Sequence, residues 1–325
     1  MKKVLVTGAN GYLGSKICVE LLKNGFTVLG NCRKIPNEQA LLGPLKGIDF
    51  IVGDLTEKST FSKFDNIGIE SIVNTVSFDH KQSESFETDK VCQLNVQLNW
   101  QLMEMFSTKN ISHFIYLSTI QVLGDISNLN VDEKSQGVPL NKYGLTHLMG
   151  ENIVQYYKKK TGLNYLSLRL SNGYGSPVLN NSNWIWLVIN DLCRMAVFEK
   201  KIVLQSNGEI FRDFIHVTDI AKSVSHLLLT EENLDPLYSM ASGYSISLLS
   251  VAHTIQRMYE MKFGIKIPVF HSGNILSKLD SFNDSEYKIS NDNILKTGFK
   301  FDVRLEDGID DLLNYFLKLA TFQNA

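Results

Sequence analysis

Three glycines that follow a short apolar segment restrict the possible folds more than any other feature of this sequence. Residues 4–7 read Val-Leu-Val-Thr and lead directly to Gly8, Gly11 and Gly14, after which an amphipathic stretch begins. Glycine is favoured where a chain turns sharply, where its backbone approaches a ligand, or where a helix packs closely on a strand. The pattern predicts a strand, a tight loop and a helix whose first N–H groups face an anion. We expect this loop to bind the pyrophosphate of a dinucleotide; the alternative is a turn with only a structural role.

Short apolar segments alternate with longer amphipathic stretches as far as about residue 172. Strands that alternate with helices imply right-handed crossovers and a parallel sheet that helices cover on both faces. We therefore expect an α/β fold, namely a Rossmann-type doubly wound parallel sheet with a smaller α/β substrate-binding lobe. The predicted boundaries are 1–172 for the Rossmann domain and 173–325 for the lobe, with a segment near 208–230 returning to the first domain.

Composition excludes several classes of function. The chain has 32 Lys and Arg against 34 Asp and Glu, and this balance gives no surface suited to nucleic acid or an anionic membrane. The four cysteines are scattered and form no CxxC pair, which predicts neither a metal site nor a disulfide framework. No apolar run is long enough to span a bilayer, so we expect a soluble, cytoplasmic protein.

Four motifs resemble those of the extended short-chain dehydrogenases/reductases. They are TGANGYLG from residue 7, YLSTIQVLG from residue 116, LRLSNGYG from residue 168 and RDFIHV from residue 212. The resemblance covers nearly the whole chain and implies an NAD(P)-dependent sugar-nucleotide epimerase, dehydratase or reductase. It also implies that the first loop binds the cofactor through Gly8, Asn10, Gly11, Tyr12, Leu13 and Gly14.

The end of the second predicted strand bears on the choice between NAD(H) and NADP(H). An NAD enzyme carries an acidic residue there for the adenosine ribose, about twenty residues after the glycines, whereas this stretch has no carboxylate. Arg33, with Lys34 beside it, can instead bind a 2′-phosphate, because a guanidinium matches phosphate geometry. We expect NADP(H), with NAD(H) or a solvated basic turn as alternatives. Asp54 and Leu55 resemble a family pair that flanks the adenine, although a plain strand-end aspartate also fits.

The family's catalytic signature is a tyrosine, a lysine four residues later, and a hydroxyl at the end of the preceding strand. Tyr143 matches the tyrosine and Thr119 the hydroxyl, with Ser118 beside it as a substrate contact. His147 occupies the lysine position, where it lies on the same helix face and can hydrogen-bond a ribose. The resemblance therefore implies that Thr119, Tyr143 and His147 are catalytic, and that the last two also contact the cofactor. The alternative is a pair of ordinary helix residues.

Replacing the lysine by His147 affects the two directions of hydride transfer unequally. A lysine ammonium lowers the pKa of the tyrosine from about 10, whereas histidine, with an ordinary pKa of about 6.5, can be uncharged at neutral pH. Alcohol oxidation needs a tyrosinate base, while carbonyl reduction needs a neutral tyrosine as acid. The substitution therefore favours reduction.

Two further positions indicate the branch of the family and its substrate. By resemblance, dehydratases carry Asp-Glu directly after the catalytic hydroxyl, where this chain has Ile120-Gln121, so dehydration is not expected. Asn172 and Arg212 match residues that contact the diphosphate or sugar of a nucleotide sugar. The alternative for Arg212 is a surface ion pair with Asp213.

Three residues keep two interpretations each. Asn95 matches a family asparagine near the active site, or is a polar residue that packs within its helix. Trp184 and Trp186 either stack on the substrate or pack in the core.

The resulting hypothesis is an NADPH-dependent reductase of a keto group, at C4, of a nucleotide-diphosphate sugar, with Tyr143 as proton donor. The first alternative is an NAD-dependent nucleotide-sugar 4-epimerase, which oxidises and re-reduces the same carbon. The second is a non-catalytic NADP-binding protein, because a fold does not fix a function. By resemblance alone, a homodimer is expected.

Overall fold

A computed structural model describes residues 2–109, 111–180, 183–271, 274–275 and 286–323. The strands are β1 (Lys3–Thr7), β2 (Thr27–Cys32), β3 (Ile48–Val52), β4 (Ser71–Asn74), β5 (His113–Thr119), β6 (Asn130–Val131), β7 (Asn164–Leu170), β8 (Asn172–Tyr174), β9 (Ile202–Leu204), β10 (Phe211–Arg212), β11 (Phe214–His216), β12 (Leu237–Met240), β13 (Ile246–Ser247), β14 (Val269–His271), β15 (Asn274–Ile275) and β16 (Lys288–Ile289). The helices are α1 (Tyr12–Lys23), α2 (Glu38–Leu42), α3 (Lys58–Phe61), α4 (His80–Ser85), α5 (Thr88–Cys92), α6 (Leu98–Phe106), α7 (Lys142–Thr161), α8 (Val188–Phe198), α9 (Val217–Leu229), α10 (Leu248–Phe263), α11 (Asp292–Lys296) and α12 (Leu305–Gln323).

The main sheet has seven strands in the order β12-β7-β5-β4-β1-β2-β3. Every pairing in this sheet is parallel, with Val6 opposite Val73 of β4 and opposite Gly30 of β2. Strand order reverses between β1 and β4, and ligands of such folds bind at the carboxyl ends of the strands beside this reversal. The predicted doubly wound parallel sheet is confirmed.

Helices cover both faces of the sheet because its strands are apolar on both sides. On one face, α1 and α9 pack with Leu166, Leu168 and Leu170 of β7 in one buried cluster. On the other face, α6 and α7 pack with Tyr165 of β7 and Phe114 of β5. The alternation of side chains along β7 thus divides the core into two layers.

A second core lies outside the main sheet. It joins α8, α10 and α12 with β9 and β14, through residues such as Leu192, Ile255 and Leu312. Residues after 172 also contribute to the first core, since β12 pairs with β7 and α9 packs on α1. The division into 1–172 and 173–325 stays a prediction.

The local sequence determines where helix α7, which carries Tyr143 and His147, begins and ends. Asn141 caps its first turn, accepting a hydrogen bond from the Gly144 N–H at 2.7 Å. Gly162, with φ of 72°, ends the helix in the left-handed conformation that glycine favours. Three lysines occupy its last turn, where cations suit the helix dipole.

Neither a membrane-spanning helix nor a metal-binding cluster is found in the described part of the chain. No helix there combines the length and apolar character of a membrane span. No cluster of three or more His, Cys, Asp or Glu side chains there is arranged to hold a metal ion. The four cysteines are free thiols.

Candidate active site

The glycine loop joins β1 to α1 at the carboxyl edge of the sheet. Gly8 has φ of 64°, and a Cβ at Gly14 would lie 2.1 Å from the Gly8 carbonyl oxygen, so both positions require glycine. Gly11 is the N-cap of α1 and no side chain caps the helix. The first-turn N–H groups therefore remain available for an anion. This loop has the geometry that a pyrophosphate needs.

Side chains of the loop are used to fasten it. The Asn10 amide donates to the Lys34 carbonyl oxygen at 3.0 Å, which ties the loop to the end of β2. The Tyr12 hydroxyl donates to the Gly175 carbonyl oxygen at 2.7 Å, which ties it to the second lobe. Leu13 packs against the first core. If Asn10, Tyr12 and Leu13 contact the cofactor as predicted, they do so through backbone atoms or through the parts of their side chains that are not engaged in these contacts.

Arg33 and Lys34 are exposed directly after β2. Asn31, by contrast, is buried and donates to the carbonyl oxygens of Ile51 and Gly53 at 3.1 and 3.2 Å. Its amide holds β2 to β3, so it does not take the place of the missing carboxylate. The charged side chains directly after β2 are therefore both basic.

Asp54 and Leu55 follow β3 at the same edge. The Asp54 carboxylate accepts hydrogen bonds from the N–H and hydroxyl of Thr56 at 2.9 and 2.7 Å. Burial opposes its ionisation, but these bonds and the charge of Arg33 together lower the pKa of Asp54. Leu55 is buried. Asp54 thus lies within electrostatic reach of Arg33, and its contact with adenosine stays a prediction.

Thr119 and Tyr143 come together where β5 ends and α7 begins. Thr119 is buried, and its hydroxyl accepts from the Gln121 N–H at 3.3 Å. Burial raises the pKa of Tyr143 to about 12, against the effect of a hydrogen bond with the Thr119 side chain, and the negative charge of Asp79 raises it further. The phenol is therefore neutral at physiological pH.

His147 is packed beneath Tyr143. The two ring centroids are 4.4 Å apart, and only 1% of His147 is exposed. Its Nδ1 lies 2.8 Å from the hydroxyl of Tyr116 on β5. Burial lowers the pKa of His147 to about 3, so the ring is uncharged at neutral pH. Within the described residues, no hydrogen bond of its Nε2 to the protein is found.

Asn95 lies in a π-helical turn, Gln93–Gln97, between α5 and α6. Its side-chain oxygen accepts from the Phe78 N–H at 2.8 Å, and its amide donates to Thr146 at 3.0 Å. It therefore connects the segment after β4 to α7, one residue from His147. Both interpretations hold in part, since Asn95 is a buried packing residue beside the candidate site.

Ser118 faces the protein interior. Its hydroxyl donates to Glu151 at 2.6 Å, and Glu151 also accepts from the Nε and Nη2 of Arg169 at 3.0 and 2.8 Å. The three residues are buried and join β5, α7 and β7. The Ser118 hydroxyl is thus engaged in a structural network, and its predicted contact with substrate stays untested.

Asn172 and Arg212 lie near one another because β8 pairs with β11, Asn172 opposite Phe214. The Asn172 amide donates to the Asp213 carbonyl oxygen at 2.8 Å.

Arg212 is exposed and donates to the carbonyl oxygen of its neighbour Phe211. Asp213 turns inward to the N–H groups of Ser242 and Gly243. In the described part of the chain Arg212 has no ion pair, which leaves its guanidinium accessible.

Trp184 and Trp186 differ in their exposure to solvent. Trp184 is 3% exposed and stacks on Phe316 with ring centroids 5.5 Å apart, so it belongs to the second core. Trp186, two residues later, is 75% exposed. Only Trp186 is accessible to a ligand.

A sequence profile of the NAD dependent epimerase/dehydratase family matches residues 4–241. The chain belongs to this family. Relatives include an uncharacterized UDP-glucose epimerase of Bacillus subtilis, 26% identical over 265 residues that cover 78% of this chain and 81% of the relative. Among solved structures, UDP-glucuronic acid 4-epimerase of Bacillus cereus with UDP-glucuronic acid and NAD is 22% identical, covers 98% of this chain and 99% of that chain, and gives a TM-score of 0.78. UDP-glucose 4-epimerase of Thermotoga maritima is 17% identical, covers the same shares and gives a TM-score of 0.81.

Three residues of this epimerase/dehydratase family member were not predicted from the sequence: Asp79, His80 and Gln82. Asp79 and Gln82 form a capping box at the start of α4, the first helix after β4. His80, the first residue of that helix, is exposed, with its ring centroid 6.1 Å from that of Tyr143. Polar residues that follow a parallel strand at the ligand edge of the sheet were the available signal.

Proposed function

We propose that this family member is an NADPH-dependent reductase of a C4 keto group in a nucleotide-diphosphate sugar. The observation that carries the proposal is the buried, neutral His147 beneath Tyr143, whose pKa is raised to about 12. A phenol in this state is a proton donor. Deprotonating it at pH 7 costs about 7 kcal/mol, so it serves poorly as a base.

The chain's own residues have separate roles at the carbonyl. A reduced nicotinamide, when bound, supplies hydride to the carbonyl carbon. Tyr143 donates its phenolic proton to the carbonyl oxygen, and Thr119 hydrogen-bonds that oxygen. His147 donates from Nε2 to a ribose hydroxyl and adds no charge. The N–H groups at the start of α1 bind the pyrophosphate.

Basic side chains at the end of β2 support NADP(H) as the cofactor. Arg33 and Lys34 are exposed there, and the neighbouring Asn31 is engaged with β3. A 2′-phosphate accepts two parallel hydrogen bonds from a guanidinium. Arg33 is assigned to this phosphate, and Asp54 and Leu55 to the adenosine.

The second lobe binds the nucleotide sugar. Arg212, exposed and without an ion pair among the described residues, is assigned to the diphosphate, with Asn172 beside it. Binding energy at the diphosphate then orients the reacting sugar carbon. The solved relatives that contain UDP-glucuronic acid or UDP-glucose support a UDP-sugar as the class to test first.

We further propose that the protein is a homodimer. Exposed apolar side chains lie together on α6 and α7, with Trp100 at 45%, Tyr156 at 52% and Met149 at 42% exposure. Trp100 and Tyr156 stack with centroids 6.2 Å apart, which extends this apolar surface. Exposed apolar patches of this kind mark interfaces.

A 4-epimerase is the second candidate, favoured by the two solved epimerases whose folds match over nearly the whole chain. It needs Tyr143 as a base in its oxidative half-reaction and a dinucleotide that stays bound throughout the cycle. Cofactor identity and consumption separate the two candidates.

The deciding experiment identifies the dinucleotide. Purified protein is denatured, any released dinucleotide is identified by chromatography, and NADPH and NADH are titrated into the protein as recovered. An empty or NADP(H)-loaded site that prefers NADPH, with stoichiometric NADPH oxidation on a UDP-4-keto-sugar, supports the reductase. Retained NAD and interconversion of UDP-sugars without net oxidation would replace it by the epimerase. Binding without either reaction would favour a non-catalytic role.

A further inference from the structure

A chain of buried side chains runs from the end of β1 to His147. It passes through Thr7, Asn74 on β4, Asn99 on α6 and Tyr116 on β5, each 1% exposed or less. The Thr7 hydroxyl and Asn74 Oδ1 are 2.5 Å apart, and Asn74 Nδ2 and Asn99 Oδ1 are 2.7 Å apart. Buried polar groups arranged in this way orient one another, because each donor needs an acceptor.

Two backbone N–H groups fix which atoms donate and which accept at the first members of this series of side chains, Thr7 and Asn74. The Thr75 N–H donates to the Thr7 hydroxyl oxygen at 3.2 Å, and the Val76 N–H donates to Asn74 Oδ1 at 3.3 Å. A backbone N–H can only donate, so the atom facing Val76 must be the amide oxygen of Asn74. The Thr7 hydroxyl therefore donates to that oxygen, and the NH₂ group of Asn74 points to Asn99.

The direction continues through Asn99. Its oxygen accepts from Asn74, so its NH₂ group supplies the remaining bonds. One hydrogen goes to the Asn95 carbonyl oxygen at 3.0 Å. Burial raises the pKa of Tyr116 well above its ordinary value, and a hydrogen bond from the Asn99 side chain opposes that rise. Because the Asn99 oxygen already accepts from Asn74, the NH₂ group is the part of the Asn99 side chain that faces Tyr116.

Within the described part of the protein, the one acceptor found for the Tyr116 proton is His147 Nδ1, at 2.8 Å. We propose that Tyr116, oriented by Thr7, Asn74 and Asn99, holds His147 as the neutral tautomer that carries its proton on Nε2. Tyr116 is thus a positioning residue. On the proposed function, on which this inference rests, it aims a single N–H of His147 at a ribose hydroxyl of the cofactor.

The arrangement differs physically from an ammonium at the same position. An ammonium has three rotating donors and a charge, whereas the fixed imidazole has one donor in a set direction. Without Tyr116, either ring nitrogen could carry the proton, and the molecules with the proton on Nδ1 would present an acceptor to the ribose. With the tautomer fixed, every molecule presents a donor to the ribose.

The test is the nitrogen NMR spectrum of the whole chain, labelled with ¹⁵N at histidine and free of dinucleotide. The chain has seven histidines, and a His147→Gln variant identifies the signals of His147. At neutral pH we expect an unprotonated Nδ1 and a protonated Nε2. An Nδ1–H tautomer or a charged ring would overturn the proposal, and this wild-type result needs no other variant to fold.

Tyr116→Phe removes one hydroxyl and keeps the ring that fills the core. We expect the His147 signals to move towards a mixture of tautomers, whereas an unchanged spectrum would show that Tyr116 does not set the proton. Tyr165→Phe is the matched control, because Tyr165 is buried in the same hydrophobic cluster as Tyr116 but is not one of the hydrogen-bonded side chains that lead to His147. Its spectrum should match the wild type.

Titration with dinucleotide separates this inference from the proposed function. Tyr116→Phe should weaken the binding of the preferred dinucleotide by the inverse of the fraction of molecules whose spectrum shows the proton on Nε2, about twofold for an even mixture, and Tyr165→Phe should not. Equal affinities in wild type and Tyr116→Phe would refute the role of the aimed N–H. A wild type that binds no dinucleotide would refute the proposed function, while the spectra still decide the tautomer.

Discussion

The rings of Tyr143 and His147 meet at 67°, with centroids 4.4 Å apart, at the start of α7. Tyr143 is half-buried, and His147 is buried beneath it with its Nδ1 bonded to Tyr116. Burial keeps the histidine neutral, so it brings no positive charge to the phenol. The sequence predicted that a histidine, which can be neutral, replaces the charged lysine of the family. The burial of His147 explains why it is neutral, and without a positive charge beside it Tyr143 keeps its proton.

Tyr143→Phe tests the proton donor directly. We expect turnover to fall by about 10² to 10⁴, the usual contribution of a positioned acid, because phenylalanine has no proton to give. Dinucleotide affinity should stay near that of the wild type. Tyr156→Phe, an exposed tyrosine on the same helix, is the control and should leave turnover unchanged. Activity of Tyr143→Phe within a few-fold of the wild type would remove Tyr143 from the mechanism.

His147→Lys tests the link between the buried imidazole and the phenol through pH. An acid works below its pKa and is lost as the pH rises through it, so a Tyr143 pKa of about 12 predicts no loss of reductive kcat/KM from this group up to about pH 9. An ammonium in place of His147 lowers the phenol pKa, so the loss should move to lower pH.

The matched variant for this comparison is His147→Gln, which removes the imidazole without adding a charge. Its pH profile should keep the alkaline limit of the wild type. Identical profiles for His147→Lys and His147→Gln would show that no charge at this position reaches Tyr143. Circular dichroism of each variant checks that the fold is retained.

The sequence was sufficient to predict the elements whose signal is local. The glycine loop, the strand that ends at Thr119 and the helix that carries Tyr143 each depend on a few neighbouring residues, and all are found as predicted. Comparison with known proteins confirms the family and the doubly wound sheet. Periodicity and turn residues specify these features without knowledge of distant contacts.

The features that sequence reasoning missed depend on contacts between distant segments. Asn74, Asn99 and Tyr116 come from three different elements, and only the packing of α6 and α7 on the sheet brings them to His147. Trp184 and Trp186 share one short stretch, yet only the packing against Phe316 decides which is buried. No spacing rule contains that information.

His147 also predicts how stability depends on pH. Its pKa is about 3 in the folded chain and about 6.5 when unfolded. Because the folded pKa is the lower one, the unfolded chain takes up the proton first, and the stability is present above about pH 6.5 and lost as the pH falls towards 3. Between about pH 7 and pH 5 this group should cost about 2 kcal/mol of the free energy of unfolding.

Denaturant unfolding of wild type and His147→Gln at the two pH values checks this cost. The variant should lose about 2 kcal/mol less than the wild type on acidification. His216, whose pKa burial lowers to about 4, contributes to both proteins alike and cancels in the difference. Equal losses would mean that His147 is accessible to protons in the folded state.

Arg33→Ala tests the choice of dinucleotide. If Arg33 binds a 2′-phosphate, its removal should weaken NADPH by about tenfold to a hundredfold, the range for hydrogen bonds to a charged group, and leave NADH nearly unchanged. Fluorescence titration of both dinucleotides measures the ratio. Arg304→Ala, which removes an arginine with 80% side-chain exposure elsewhere, should change neither affinity. Equal weakening of NADPH and NADH would assign Arg33 to a shared part of the cofactor.

His80→Ala tests the residue that sequence reasoning missed. His80 is exposed at the start of α4 with its ring edge-on to Tyr143, so we expect a sugar bound at that phenol to contact it. Loss of one hydrogen bond to the sugar should lower kcat/KM about tenfold and leave dinucleotide affinity unchanged. Lys81→Ala changes the next exposed residue of the same helix and serves as the control. A kcat/KM equal to that of the wild type would place the sugar on the other side of Tyr143, whereas an equal loss in Lys81→Ala would indicate a disturbed helix instead of a lost contact.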